Sequence, residues 1–381
     1  MIIPSEAKRY LDICRRKPWL FVEKQLNIRT WSGMRLILDS VFNNQRTTVR
    51  AAHGIGKTFT AACAAVTFFN LYRNCQVITT APTNRQVELL LWKEIRDIYS
   101  KHPELRGDCQ QMQVKDDKTQ SRMIGFSTDT QTAFEGQHAP NILWIVDEAK
   151  GCPSWLYKAI EGSMTGGNCH VLEISTTDGA DQQCAFRVHH NKPRFWKSIK
   201  LSAFDSPFVD PDVFPNFDMH RNKELFGYGK TEHGTELPIE LSDKIQVDTQ
   251  TWVYDRYDDW YESDRIMWET KVCGEFGSQD AQSIIPLEWV QSAIDSGVPR
   301  DGSCVQYGED IGERGIDASV QIKRAGGCVE WIKKWNEPDT MVTTGILIRN
   351  ASEDPGVHKV DRIGVGSGVF SRLAELGQPV I

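Results

Sequence analysis

The sequence predicts an α/β protein: a phosphate-loop domain on a mainly parallel sheet, followed by a second α/β unit. Three observations carry this. Near-continuous apolar runs alternate with helical patterns across the first half, as strands buried on both faces require. A glycine-containing loop, RAAHGIGKT (50–58), joins one such run to an Ala-rich helical stretch. A later apolar run, ILWIVDEA (142–149), ends in two adjacent acids.

In order along the chain, residues 1–45 predict helices, with Trp31, Leu36, Ile37, Leu38 and Val41 on an apolar face. The first strand and the glycine loop follow. CQVITTAP (75–82) predicts a second strand, and TNRQVELLLWKEIRDIYSKH (83–102) an amphipathic helix capped by Thr83 or Asn84. Residues 105–125 are polar and predict a hairpin or loop. NILWIVDEA (141–149) is a third strand, PSWLYKAIEGSM (153–164) a helix and NCHVLEISTTDG (168–179) a fourth strand. Residues 205–265, rich in Asp, Pro, Gly and aromatics, predict an irregular region packed on the first domain. A helix and linker close that part, through residue 286. From about residue 300, CVQYGEDIGERGIDASVQIKRAGGCVEWIKKW predicts three consecutive strands. A helix, the strand KVDRIGVG, the helix VFSRLAELG and the strand-like PVI follow. The division expected is 1–45, an N-terminal helical segment; 46–205, the phosphate-loop core; 206–299, an irregular subdomain and linker; and 300–381, a partial second α/β domain.

Composition narrows the functional classes. The 381 residues exceed one ordinary domain, and 40% hydrophobic content is enough for sizeable cores. A net charge of −7 argues against a static DNA-coating protein, though a basic groove on an acidic body is compatible with it. The ten cysteines include no C-x-x-C pair, and Cys63 and Cys169 lie in apolar stretches, which predicts reduced core thiols. The N-terminus lacks a signal-peptide layout and no run is long enough to span a bilayer.

The chemistry concentrates at the strand ends. The usual phosphate loop is G-x-x-x-x-G-K-[ST]; here Ala51 replaces the first glycine. Gly54 and Gly56 permit close backbone approach to phosphate oxygens. Lys57 would reach the β/γ-phosphates, Thr58 would ligate Mg²⁺, and Arg50 would add a cation at the mouth. Asp147 would hold the Mg²⁺ and Glu148 would activate the attacking water, which together predict nucleoside-triphosphate hydrolysis. Ser175, Thr176, Thr177 and Asp178 end the next strand, where hydroxyls can sense the terminal phosphate. Arg85 is a candidate transition-state or DNA-contacting cation.

Taken together, RAAHGIGKT, TTAPTNRQ, AFEGQHAPNILWIVDEAKGCP, STTDG, LSAFDSPFV and RIMWETKVCGEFG resemble the motifs of the large subunit of tailed-bacteriophage terminases. The Trp-Gln pair often found before the phosphate loop is Trp31-Ser32 here. The resemblance implies an ATPase motor that drives double-stranded DNA into procapsids, followed by a nuclease of RNase H-like fold. It implies ATP with Mg²⁺ at the first site and Mg²⁺ or Mn²⁺ at the second. Asp310 and Asp361 match the first two acidic positions of that nuclease; Glu309 and Asp317 are weaker candidates. Two-metal cleavage needs several converging carboxylates. That family's nuclease continues further and adds another acid, so the expectation is a truncated chain with an impaired nuclease. The implied partners are DNA, a portal protein, a small terminase subunit and further copies in a ring, with no membrane. The implied location is the host bacterial cytoplasm during assembly, not the mature virion. A helicase-like or repair ATPase, and a catalytically incomplete prophage remnant acting only by binding, are the alternative readings.

Overall fold

The computed structural model describes residues 5–128, 139–164, 166–177, 184–210, 212–228, 244–245, 247, 251–277, 292–297, 300, 302–312 and 318–381. Two compact units divide the chain, Met1–Pro286 and Leu287–Ile381.

In the first unit, helices α1 (Ser5–Arg16), α2 (Trp19–Lys24) and α3 (Ser32–Asn43) lead into an eight-stranded sheet. Its strands are β1 (Arg46–Ala51), β2 (Cys75–Ala81), β3 (Asp108–Cys109), β4 (Gln113–Asp116), β5 (Ser121–Ser127), β6 (Asn141–Asp147), β7 (Asn168–Ser175) and β8 (Lys197–Leu201). They lie in the order β3-β4-β5-β2-β6-β7-β1-β8, and from β5 to β8 every pairing is parallel. Parallel pairing puts all six C-terminal ends on one edge. β1 lies between β7 and β8, so the ends of β6, β7 and β1 are neighbours: Asp147 pairs with Ile174, and Arg50 with Ser175.

Helix α4 (Lys57–Leu71) follows β1. Its Ala-rich sequence carries no polar stripe, and twelve of its residues are buried. A helix apolar all round belongs inside a domain, and α4 packs against β2, β5, β6 and β7. The helix predicted after β2 begins at α5 (Asn84–Gln86), where Thr83 makes a reciprocal capping box with Gln86. It passes through a π-helical stretch, Val87–Leu91, before α6 (Trp92–Lys101). Then α7 (Ser154–Ser163) bridges β6 to β7, and α8 (Ala185–His190) precedes β8. Cys63 and Cys169 are buried, as small core residues.

Two strands go beyond the sequence reading. β4 and β5 form an antiparallel hairpin in the stretch expected to be a hairpin or loop, and β5 also pairs with β2, inside the sheet. Its Gly125 explains how: a Cβ there would sit 2.3 Å from Trp92 Nε1, so only glycine admits the fully buried indole, which donates to Thr79 Oγ1 at 2.9 Å. β8 extends the sheet beyond β1; its five residues carry too short a pattern to stand out.

The irregular region contributes α9 (Trp252–Trp260), and the stretch expected to be helical after it holds α10 (Arg265–Met267) and a second π-helical stretch, Trp268–Val272. Trp268 is fully buried among Phe204, Phe217, Tyr257 and Tyr261.

The second unit holds β9 (Val305–Asp310), β10 (Ser319–Ala325), β11 (Cys328–Trp335), α11 (Thr340–Ala351), β12 (Val357–Val360) and α12 (Gly366–Glu375). The sheet order is β11-β10-β9-β12, with the first three antiparallel and β12 parallel to β9. Leu347, Val360, Val369 and Leu373 form a core between α11, β12 and α12. The final PVI bridges to β12, with Val380 beside His358 in the parallel sense.

Replacing Gly125 by Val should displace Trp92 and destabilise the first unit by about 1–3 kcal/mol, the usual cost of overpacking. Chemical denaturation followed by tryptophan fluorescence measures it.

Candidate functional site

The parallel edge of the first unit gathers the residues singled out in its sequence. β1 ends at Ala51, fully buried and without a positive φ. Alanine therefore fits where the usual pattern has glycine, because the bend comes later. Ala52 N donates to Leu201 O at 2.8 Å and His53 N to Lys271 O at 2.9 Å, which pins the start of the loop. Gly54 (φ 70°) and Gly56 (φ 78°) occupy the left-handed region, where only glycine is free of strain. Gly56 caps α4, so the unpaired N–H groups and positive end of a 15-residue helix face the loop.

Lys57 folds back over this loop and its Nζ donates to Ala52 O at 2.7 Å. Burial pushes its ammonium down to about 8, against the attraction of Glu148 and Asp147. Thr58 Oγ1 donates to Asp147 Oδ2 at 3.0 Å, joining positions 89 apart in sequence. Asp147 is 3% exposed; burial first, and then Glu148, push its carboxyl up to about 6. Glu148 stands in the left-handed region (φ 47°, ψ 44°), with its N–H on Asp147 Oδ1 at 3.0 Å. A non-glycine residue pays about 1–2 kcal/mol for that conformation. The bend turns Glu148 toward β7, where Ser175 Oγ donates to Glu148 Oε2 at 3.2 Å. Oxygen donors from Thr58 and Asp147 at one point suit a hard divalent cation.

Two residues differ from the sequence reading. Thr177 is fully buried, and its hydroxyl is turned to the carbonyls of Thr270 and Glu275 rather than toward a phosphate. Arg50 is occupied by Glu275, at 2.7 Å, and lies over the Phe276 ring at 5.1 Å. Both are drawn away by the 268–276 segment, whose position over these strand ends no local pattern announces. Thr176 accepts from Lys150 Nζ at 3.1 Å, and Arg85 is exposed beside the Thr83 cap. Asp178 lies outside the described residues.

Sequence reasoning missed Lys150 and Lys271. Lys150 has a signal, being two residues past Glu148. Lys271 lies in the RIMWETKVCGEFG stretch already singled out, but nothing local places it at the loop, where its Nζ donates to Thr177 O at 3.1 Å. Beside α4, a cavity of about 440 Å³ is lined by Leu26, Asn27, Ile28, Phe59, Glu94 and Lys244, among others. Lys244 of this lining runs beside the loop, since a Cβ on Gly56 would lie 3.4 Å from Lys244 O.

In the second unit, Glu309 pairs with Val360 across β9 and β12. Asp310 ends β9 and Asp361 directly follows β12, each one position beyond that pair, and both are exposed. Asp361 Oδ1 accepts from Ile363 N at 2.9 Å. Glu309 is on the opposite face. Its side chain is buried against His358 Nδ1 at 2.6 Å and Gln321 Nε2 at 2.7 Å. Strand alternation makes that inevitable: adjacent residues cannot share a face. Glu309 is therefore a core acid, not a neighbour of the exposed pair. Asp317 lies outside the described residues, and among the described residues no cluster of three metal-binding side chains is found.

Comparison with known proteins adds the following. No protein-family model matches the chain. A probable terminase large subunit of Enterobacteria phage P7 is 24% identical over 198 residues, 48% of this chain and 40% of that protein. The chain thus spans about two fifths of that relative's length. Among solved structures, the large terminase of the thermophilic bacteriophage D6E covers 93% of this chain and 82% of its own, at 10% identity and a TM-score of 0.44. The large-terminase ATPase domain of Thermus phage P74-26 covers 68% of this chain and 99% of its own, at 15% identity and a TM-score of 0.44. Over about half its length, then, the chain is similar in sequence to the large subunit of a phage terminase, the family that its motifs resemble.

Proposed function

We propose that the chain is an ATP-driven DNA-packaging motor subunit of the terminase type, with a metal-dependent endonuclease site in its second unit. The observation that carries the first part is the hydrogen bond from Thr58, in the first turn of α4, to Asp147 at the end of β6, with Glu148 beside it.

In this reading Gly54, Gly56 and the first N–H groups of α4 receive the phosphates. Lys57 exchanges Ala52 O for the β/γ-oxygens, a charge-assisted contact stronger than the one it replaces. Thr58 and Asp147 would hold Mg²⁺, which supplies charge neutralisation to the transferring phosphoryl group. Asp147, costly to ionise in its buried place, would be kept ionised there. Glu148 takes the proton of the attacking water, and Ser175 holds that carboxylate in place through Oε2. The cavity beside Phe59 is of a size to take the base. Translocation needs repeated, sequence-independent phosphate contacts, which a chain of net charge −7 can make along a local groove. A portal protein, a small subunit and further copies of the chain are the partners this reading assigns.

For the second unit, Asp310 and Asp361 would hold Mg²⁺ or Mn²⁺ at the exposed strand ends, as the first two carboxylates of an RNase H-like nuclease. The strand order supports this, with three antiparallel strands and a fourth parallel to the first.

DNA-stimulated ATP hydrolysis tests the motor site. Lys57→Ala and Glu148→Gln should each lower the rate by about a hundredfold or more, the span of losing a charge clamp or a general base. Unchanged hydrolysis in both variants refutes the assignment. For the nuclease, supercoiled plasmid with Mn²⁺ should show low-level nicking that Asp310→Ala and Asp361→Ala each abolish. Nicking that survives both variants rules the pair out.

A further inference from the structure

The nucleotide reading uses one lysine, but two more, Lys150 and Lys271, lie close to it. Lys57 feels the charges of Lys150 and Lys271 as well as those of Asp147 and Glu148. His53, in the loop, is held down to about 4 by burial and by the same three lysines. Three ammonium groups thus lie close together around a glycine loop, a setting that favours an anion.

Lys271 stands apart because of the segment that carries it. Trp268–Val272 is a single π-helical turn, a form concentrated at functional sites. Trp268, Val272 and Cys273 are fully buried and anchor it, while Lys271 between them is only partly covered. Its carbonyl accepts from His53 N of the loop at 2.9 Å. Gly274 lies so close to the end of β8 that a Cβ would come within 2.8 Å of Leu201 O. Thr177, at the end of β7, donates to Thr270 and Glu275 on either side. The segment is therefore laid directly on the loop and on the strand end where a terminal phosphate would be read. Lys271 Nζ donates there to Thr177 O at 3.1 Å.

We propose that Lys271 is a second phosphate-binding cation, which leaves the Thr177 carbonyl for the terminal phosphate of a bound nucleoside triphosphate and so distinguishes triphosphate from diphosphate. This rests on the nucleotide-site reading above. Replacing a carbonyl by a phosphate oxygen makes the contact charge-assisted at both ends. The movement starts on the segment whose Glu275 pairs with Arg50 and Lys200, both at 2.7 Å. Triphosphate occupancy would therefore be felt four residues further along the same chain segment.

Titration of the full chain with ATPγS and with ADP in Mg²⁺ tests this. Lys271→Met should weaken ATPγS binding about tenfold or more and ADP binding less than about threefold; Lys271→Arg should keep most of the preference. Lys57→Ala should weaken both ligands. A Lys271→Met protein with the wild-type ATPγS/ADP ratio overturns the proposal, as does one that loses both equally. Acylation of wild-type lysines, read by mass spectrometry, needs no variant to fold. ATPγS should protect Lys271 and ADP should not; equal protection or none at Lys271 overturns the proposal. Lys57 should be protected by both nucleotides. If the wild type binds neither and Lys57 stays unprotected, the nucleotide-site reading itself falls.

Discussion

The hydrogen bond from Thr58 to Asp147 is the contact on which the chemistry proposed for the first unit depends. It exists because β6, β7 and β1 run parallel and adjacent, so that residues 89 apart in sequence end on one edge. Reversing one of those strands would send its terminal residue to the far side of the sheet. The all-round apolar α4 serves the same end. By filling the space beneath the sheet, it holds its own first turn at the end of β1.

Burial sets the electrostatics of that edge. Asp147 is raised to about 6 and Lys57 lowered to about 8, each chiefly by burial, so both sit where charge is expensive. A buried charge is stable only when paired. The two offset one another in part, and a phosphate with its divalent cation would complete the pairing. The left-handed backbone at Glu148 belongs to the same economy: strain at one residue turns its carboxylate toward Ser175 and holds it there.

The segment 268–277 ties the strand ends together. It takes the hydroxyl of Thr177, the guanidinium of Arg50 and the N–H of His53. It thereby redirects two of the side chains that sequence reasoning assigned to nucleotide. Its aromatic anchor, Trp268, belongs to a cluster with Phe204, Phe217, Tyr257 and Tyr261, drawn from pieces that look irregular one at a time. The stretch read as a helix and linker, anchored on aromatics of the irregular region, is therefore what shapes one wall of the site.

How much was legible follows the range of each interaction. Gly54, Gly56, Lys57 and Thr58 announce a phosphate loop because a tight turn into a helix needs those residue types in that order. Asp147 and Glu148 announce themselves because acids at the end of an apolar run are conspicuous. The three consecutive strands of the second unit and the alternation that buries Glu309 are likewise local, although the acid itself was weighed as a site candidate. Sequence by itself determined the parallel α/β class, the loop and the strand-end acids, since periodicity and turn chemistry act over a few residues. Tertiary structure alone decided that β5 enters the sheet, that β8 extends it, that Arg50 and Thr177 are taken by Glu275 and Thr270, and that Lys271 arrives at the loop. Those outcomes depend on which distant surfaces meet, on Gly125 admitting Trp92 and on residues 268–276 lying across three strand ends, and no local pattern encodes such encounters.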